Sequence, residues 1–309
     1  MPEKLDIGLL GCGRWGKNIL RDLVALGCKV TVYDPDPKVE EKYASEYTAN
    51  CSFHTDISNF SDYHDGFVVA SPTDQHYSNL LALIPYNCPI FCEKPICASL
   101  EHANEIARLA PDQVFVMEKW RYHSGIQALA SIASSGELGP VQQLRTIRVQ
   151  LGQPHKDVDG CWILTPHDLS IIDQILGEIP PLLAATGDYT DTNLDGVLAI
   201  YGNSPTAIIE TSSRQPYTSR QVILSCKHGV AALESPLAEY INVVKFSHSE
   251  DISTATVEQR SIPATMPLFE ELKHFCEYLQ GGSAPLVNAI KGAQVVDRIS
   301  QLREQIKAP

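Results

Sequence analysis

Leu5-Asp6-Ile7-Gly8-Leu9-Leu10-Gly11-Cys12-Gly13-Arg14-Trp15-Gly16 is the stretch that decides the fold. Leu5, Ile7, Leu9 and Leu10 make a short, almost wholly apolar run, the pattern of a strand buried on both faces. It breaks into G-x-G-x-x-G. Beyond the break, Ile19, Leu20, Leu23, Val24 and Leu26 recur at helical spacing, Gly27 ends the helix, and Val30 and Val32 begin a second strand with Asp34 at its tip. The physical reading is a phosphate cradle. Gly11 permits the tight turn, Gly13 lets backbone approach a pyrophosphate, and Gly16 lets helix and strand pack closely, with Arg14 and Trp15 carried on the same loop. Free N–H groups of the helix N-terminus then face the phosphates. A carboxylate at Asp34 suits an adenosine ribose 2′-hydroxyl and favours NAD over NADP, and no arginine follows it to receive a 2′-phosphate.

Outward from this unit the pattern repeats. Phe67-Val68-Val69-Ala70 is a buried strand that ends at Ser71-Pro72-Thr73-Asp74-Gln75-His76, and His76 opens a helix. A turn at the carboxyl end of a parallel strand is where α/β sheets place ligands, so Ser71, Pro72, Thr73 and His76 are cofactor candidates; plain helix capping is the rival role for Ser71 and Thr73. Pro89-Ile90-Phe91-Cys92 is the next strand, and Glu93-Lys94-Pro95 puts an acid and a base at its tip. A helix from Leu100 leads to the strand Val114–Met117. Strands alternating with helices imply a doubly wound parallel sheet.

Past Trp120 the texture changes. A helix closed by Gly136 and a strand over Leu144–Val149 precede a polar loop from Gln153 to Gly160. Thr165-Pro166-His167-Asp168 has the pattern of a helix start, with Thr165 as N-cap, Pro166 at the first position and Asp168 in the first turn. Strand-like runs then follow one another from Leu182 to Ser261, and two helices, about Leu268–Leu279 and Asn288–Ile306, finish the chain. The expected organisation is a dinucleotide-binding domain over 1–120. A substrate-binding and oligomerisation domain over 121–309 follows it, an α+β unit with a mostly antiparallel, open-faced sheet.

The chain has 309 residues, 44% of them hydrophobic, enough for two cores. The N-terminus enters the first strand directly, which leaves no room for a signal peptide, and no apolar run reaches membrane-spanning length. Nine cysteines without a C-x-x-C read as reduced, mostly buried thiols of a cytoplasmic protein, and no metal site is expected. A net charge of −13 argues against nucleic acid and acidic membranes as partners.

Taken with the turn Ser71-Pro72-Thr73-x-x-His76, the tripeptide Glu93-Lys94-Pro95, the run Gly136-Glu137-Leu138-Gly139-Pro140-Val141 and the His167 helix, the glycine motif gives the chain a resemblance to the glucose–fructose oxidoreductase and inositol dehydrogenase family, Gfo/Idh/MocA. The resemblance implies a Rossmann domain holding a nicotinamide cofactor and a second domain that covers it. It also implies hydride exchange with a secondary alcohol of a sugar, polyol or nucleotide-linked sugar. In that family the lysine matching Lys94 hydrogen-bonds the reacting oxygen and the histidine matching His167 assists proton transfer. A histidine near a helix N-terminus also feels a dipole that disfavours imidazolium. Trp120, Arg121, Tyr122 and His155, with Lys119, His123 and Lys156 close by, are candidates for substrate contact. One departure stands out: many family members carry an acid four residues before the histidine, where this chain has Ile163, and Asp157 or Asp159 would have to stand in for it. A catalytically silent NAD(H)-binding sensor of the same fold is therefore the alternative. An exposed sheet face in the second domain would need covering, which points to a homodimer or homotetramer.

Overall fold

The computed structural model describes residues 4–47, 50–56, 60, 63–153, 158–191, 193–246 and 255–306. The first elements are β1 (Asp6–Leu10), α1 (Gly16–Ala25), β2 (Lys29–Tyr33), α2 (Lys38–Tyr47), β3 (Cys51–His54), β4 (Gly66–Val69), α3 (His76–Leu83), β5 (Ile90–Glu93), α4 (Leu100–Leu109) and β6 (Val114–Met117). All six strands pair in parallel, in the order β3-β2-β1-β4-β5-β6. The order reverses between β1 and β4, so the crevice for a ligand opens at their carboxyl ends. Ile7, Leu9, Val30, Val32, Val68 and Phe91 are fully buried, as a parallel sheet covered by helices requires. The one strand the sequence pattern does not predict is β3, an edge strand whose residues are alternately half-buried and exposed.

The next elements are α5 (Ser124–Ser135), β7 (Val141–Leu151), α6 (Gly160–Leu176), β8 (Leu182–Thr190), β9 (Asn193–Tyr201), β10 (Thr206–Ser212), β11 (Arg214–Cys226), β12 (Gly229–Leu233), β13 (Tyr240–Lys245) and β14 (Thr256–Ser261). The eight strands form a second sheet, β14-β13-β12-β11-β7-β10-β9-β8, antiparallel except for the β7–β10 pair. Helix α6 packs across β7, β9 and β10. Along β9, Val197, Ala199 and Tyr201 are buried while Leu198 and Ile200 face outward, which is the alternation of a sheet covered on one side.

Helix α6 corrects the sequence expectation. It begins at Gly160, not at Thr165, and its N-cap is Asp159, whose Oδ1 accepts the Trp162 N–H at 3.3 Å. Pro166 lies inside the helix, where a proline ordinarily costs about 3 kcal/mol. Every residue from Gly160 to Pro166 is buried, and that apolar packing outweighs the local preference. Thr165-Pro166 imitates a helix start in sequence only.

The chain ends with α7 (Pro267–Leu279) and α8 (Ala289–Gln305). The protein divides into two compact units, one of residues 1–119 with 266–296, the other of residues 120–265 with 297–309. The single cut expected after residue 120 therefore needs correcting, because α7 belongs with the parallel sheet. Leu268, Leu272 and Phe275 join the core of β1, β2 and α1, and the Phe275 ring stacks on Phe91 with centroids 4.9 Å apart. Cys276 Sγ lies 3.6 Å from Cys28 Sγ beside β2. All nine cysteines are free thiols, and only Cys51 and Cys88 are less than buried.

Candidate active site

In the first unit the glycine loop has the shape its sequence requires. Gly11 sits at φ +86°, and a Cβ there would fall 2.7 Å from the Ser71 backbone nitrogen, so the turns after β1 and β4 touch at this residue. A Cβ on Gly16 would strike the Gly11 carbonyl oxygen, whereas one on Gly13 would meet nothing within 4 Å. The loop is closed on its protein side and open at Gly13, which is the room a pyrophosphate needs. Asp34 at the tip of β2 accepts the Cys12 N–H through Oδ2 at 2.7 Å and the Asp36 N–H through Oδ1 at 3.0 Å. It thus holds the loop in shape and keeps lone pairs for a ribose. Beside it, a hollow of about 370 Å³ is lined by Gly13, Arg14, Lys17, Lys38 and Lys42 among others. Sequence reading misses this group of cations, whose hollow Asp36 also lines, because Lys17, Lys38 and Lys42 lie outside the motif.

The remaining first-unit candidates are fastened to one another. The Trp15 indole N–H donates to Glu93 Oε1, and Glu93 Oε2 accepts the Lys94 N–H at 3.2 Å. On the Trp15 ring lies the ammonium of Lys119, 4.2 Å from the centroid. Burial pushes the Glu93 carboxyl up, and Lys94 and Lys119 oppose the shift. Lys94 itself is half-buried at the strand tip. His76 is buried, with Nδ1 2.8 Å from the Pro95 carbonyl oxygen and Nε2 3.0 Å from that of Ser71, so it braces the β4 turn against the Glu93-Lys94-Pro95 turn. Neither Ser71 nor Thr73 is a helix N-cap, those positions being Pro72 for the Thr73–Gln75 turn and Gln75 for α3. Ser71 Oγ accepts from Asn79 Nδ2 at 2.8 Å, and neither Pro72 nor Gln75 makes a side-chain cap for the Thr73–Gln75 turn or α3.

In the second unit, His167 is half-buried on α6, one turn beyond the buried Ile163 on the same face. Because the helix starts at Gly160, His167 lies two turns inside it, and the expected help from a helix N-terminus is absent. Asp168 is likewise no helix-terminus acid. It is 1% exposed, and its Oδ2 accepts from Arg148 Nε at 2.8 Å. Arg148 in turn lies 4.4 Å over the Trp120 ring, which stacks on His123. Arg148 pairs across strands with Arg220, whose guanidinium is lowered to about 10 by burial and by that like charge.

Other candidates have structural engagements. Arg121, 4% exposed, gives Nε to Ser170 Oγ at 3.1 Å and Nη2 to Asp173 Oδ2. His123 Nδ1 accepts the Gly125 N–H at the start of α5 and Nε2 lies 3.0 Å from the Pro236 carbonyl oxygen; burial lowers its pKa, in keeping with a neutral ring. Tyr122 is buried beside them. Asp159 is engaged as the α6 cap and by Arg303 Nη1 at 2.6 Å, which leaves it a structural acid. His155, Lys156 and Asp157 lie outside the described residues. Sequence reasoning missed Arg148, Arg220, Glu118 and Glu271. Arg148 shares the buried period-two row of Leu144 and Thr146, and Glu271 shares the helical row of Leu268, Leu272 and Phe275, so both carried a readable signal.

The doubly wound sheet, the open glycine loop and the acid at the tip of β2 define a dinucleotide-binding protein. Residues 5–117 match the Gfo/Idh/MocA family model, described as "Oxidoreductase family, NAD-binding Rossmann fold". Among curated proteins it is 26% identical over 185 residues to an inositol 2-dehydrogenase of Burkholderia multivorans, covering 56% of this chain and 55% of that protein. It is 27% identical over 229 residues to an inositol 2-dehydrogenase of Rhizobium meliloti, covering 68% and 69%. The chain thus spans a little over half the length of most of these relatives. Among solved structures, UDP-N-acetylglucosamine 3-dehydrogenase GnnA from Acidithiobacillus ferrooxidans superposes with a TM-score of 0.84 at 18% identity, covering 98% of both chains. Levoglucosan dehydrogenase in complex with NADH and levoglucosan gives 0.84 at 14% identity, covering 98% of this chain and 97% of that one. At these identities the structural likeness shows the fold.

Proposed function

We propose that this protein is an NAD-dependent oxidoreductase that exchanges hydride with a secondary alcohol or ketone of a sugar, polyol or nucleotide-linked sugar. The observation that carries this reading is the Trp15–Glu93 hydrogen bond, which joins the cofactor loop to the strand tip bearing Lys94. Gly11, Gly13, Arg14, Trp15 and Gly16 hold the pyrophosphate, Asp34 the ribose, and Ser71, Pro72 and Thr73 the adjoining edge; the nicotinamide supplies the hydride acceptor or donor. Hydride leaves carbon only as the hydroxyl proton is removed, so a base must touch that oxygen. Lys94 is assigned that contact and His167 a part in the proton transfer. Trp120 and Tyr122 are assigned to substrate contact, while Arg121, bound to Asp173 and Ser170, positions α6.

Relatives named for inositol and for levoglucosan support a carbohydrate-like substrate. Relatives named as dehydrogenases give the silent-sensor reading no support. No helix among the described residues is long and apolar enough to cross a membrane. The outward row of Leu198 (46% exposed) and Ile200 (36%) on β9 supports the proposal of a homodimer or homotetramer. The test is a panel of inositols, sugars, deoxy sugars and nucleotide sugars, followed by nicotinamide absorbance. Reduction or oxidation of one class is the expected result; NADH binding without turnover on any of them would overturn the reading.

A further inference from the structure

Helix α7 brings a carboxyl group into the cofactor half that the reading above leaves without a role. Glu271 is 1% exposed, and its Oε2 has no hydrogen-bond partner among the described residues. The charged groups that act on it are Glu93 from β5 and Glu118 and Lys119 beyond β6. Helix α1 also packs on α7, and its buried carboxylate, Asp22, is paired with Arg21 at 2.7 Å.

We propose that Glu271 is a positioning residue that sets the charge at the tip of β5: Phe275, one turn along α7 from Glu271, stacks on Phe91 of β5, and Glu93 shares the face of Phe91 two residues on, which sets the buried carboxyl beside that tip. This rests on the reading that the glycine loop and that tip hold NAD. Two carboxyls, Glu93 and Glu118, and one ammonium group, Lys119, act on Glu271. With Glu271 ionised, a third negative charge would sit beside two carboxyls in a water-free place, which is the costly arrangement, and the neutral form avoids it. Burial pushes the Glu271 carboxyl well up, and Glu93 and Glu118 push it the same way against Lys119. In the neutral state the Glu93 carboxylate keeps its bonds to the Trp15 indole and the Lys94 N–H. Loss of the Glu271 proton repels Glu93, loosens Trp15 and slackens the loop that receives the pyrophosphate. Glu271 touches no reacting atom; it acts through Glu93.

The experiment is calorimetry of NADH binding to the full chain and to Glu271→Gln, from about pH 6 to about pH 9, the range in which buried carboxyls titrate. In the wild type, affinity should fall roughly tenfold across the range, the weight of one pKa unit. In Glu271→Gln, whose side chain carries no proton to lose, the profile should be flat. Parallel falls in both proteins overturn the proposal, and so does a flat wild-type profile. Glu271→Leu, a volume-matched apolar side chain, should also be flat; it provides a second route should the amide not fold, and a wild-type-like fall there overturns the proposal too. Absence of NADH binding to the wild type at neutral pH would overturn the cofactor reading itself, a different result from any of these.

Discussion

The indole N–H of Trp15, on the loop between β1 and α1, donates to the carboxylate of Glu93 at the end of β5, two strands away in the sheet. The loop that would cradle phosphates and the turn that carries Lys94 are thereby one mechanical piece. Trp15→Phe keeps the ring under Lys119 but removes the donor and leaves an enclosed carboxylate oxygen short of a partner. The expected result is a loss of about 1–3 kcal/mol of stability in urea unfolding, with weaker NADH binding by calorimetry. An unchanged affinity would show that the loop holds its shape without this bond.

Asp34 should make NADH bind more tightly than NADPH, since a 2′-phosphate beside the carboxylate is repelled. The cations Lys38 and Lys42 moderate that preference, so the gap should widen as salt screens them. Asp34→Ala should narrow the gap and also weaken NADH, because the Cys12 N–H loses its acceptor. Equal affinities in the wild type, measured by calorimetry, would sink this account of the β2 tip.

Lys94→Ala should leave NADH affinity largely intact and lower turnover by about 10²–10⁴-fold, the usual weight of an acid–base group. His167→Ala should remove most activity as well. Ile163→Asp should not raise it, since Ile163 is 5% exposed and a carboxylate there would be desolvated. Steady-state rates on the responsive substrate decide all three, and near-normal turnover of Lys94→Ala would reduce the Glu93-Lys94-Pro95 turn to a structural element.

Asp168 and Arg148 are buried and bonded to each other, with Arg220 adjacent. Asp168→Asn leaves two guanidinium groups side by side without their carboxylate. Breaking one partner of a buried pair costs about 3–5 kcal/mol, and urea unfolding should show a loss of that size. A loss below about 1 kcal/mol, the weight of an exposed pair, would mean that water reaches Arg148 in solution.

Much of this was legible in the sequence because it rests on constraints that few residues satisfy. The glycine loop, the buried strands and the positions of Lys94 and Asp34 follow from positive φ, close approach and continuous apolar runs. Strand β3 was hidden because half of each repeat faces solvent and the run is short. The start of α6 was hidden for another reason. Thr165-Pro166 offers a local signal for a helix start, and the burial of Gly160–Leu164, a tertiary effect, overrides it. Glu271 and Arg148 sat on apolar rows where a charge is conspicuous, yet only the fold shows what lies opposite them.

The placement of α7 bears on how the chain is made. Leu268, Leu272 and Phe275 complete a core begun by Ile7 and Leu9 more than 250 residues earlier. On the ribosome the nucleotide-binding half must wait, with part of its apolar surface uncovered, until residues beyond 279 have emerged. A fragment cut after residue 119 would lack that cover and should aggregate, whereas a circular permutant beginning at residue 266 would have α7 already made when the first half emerges, with only residues 297–309 between them.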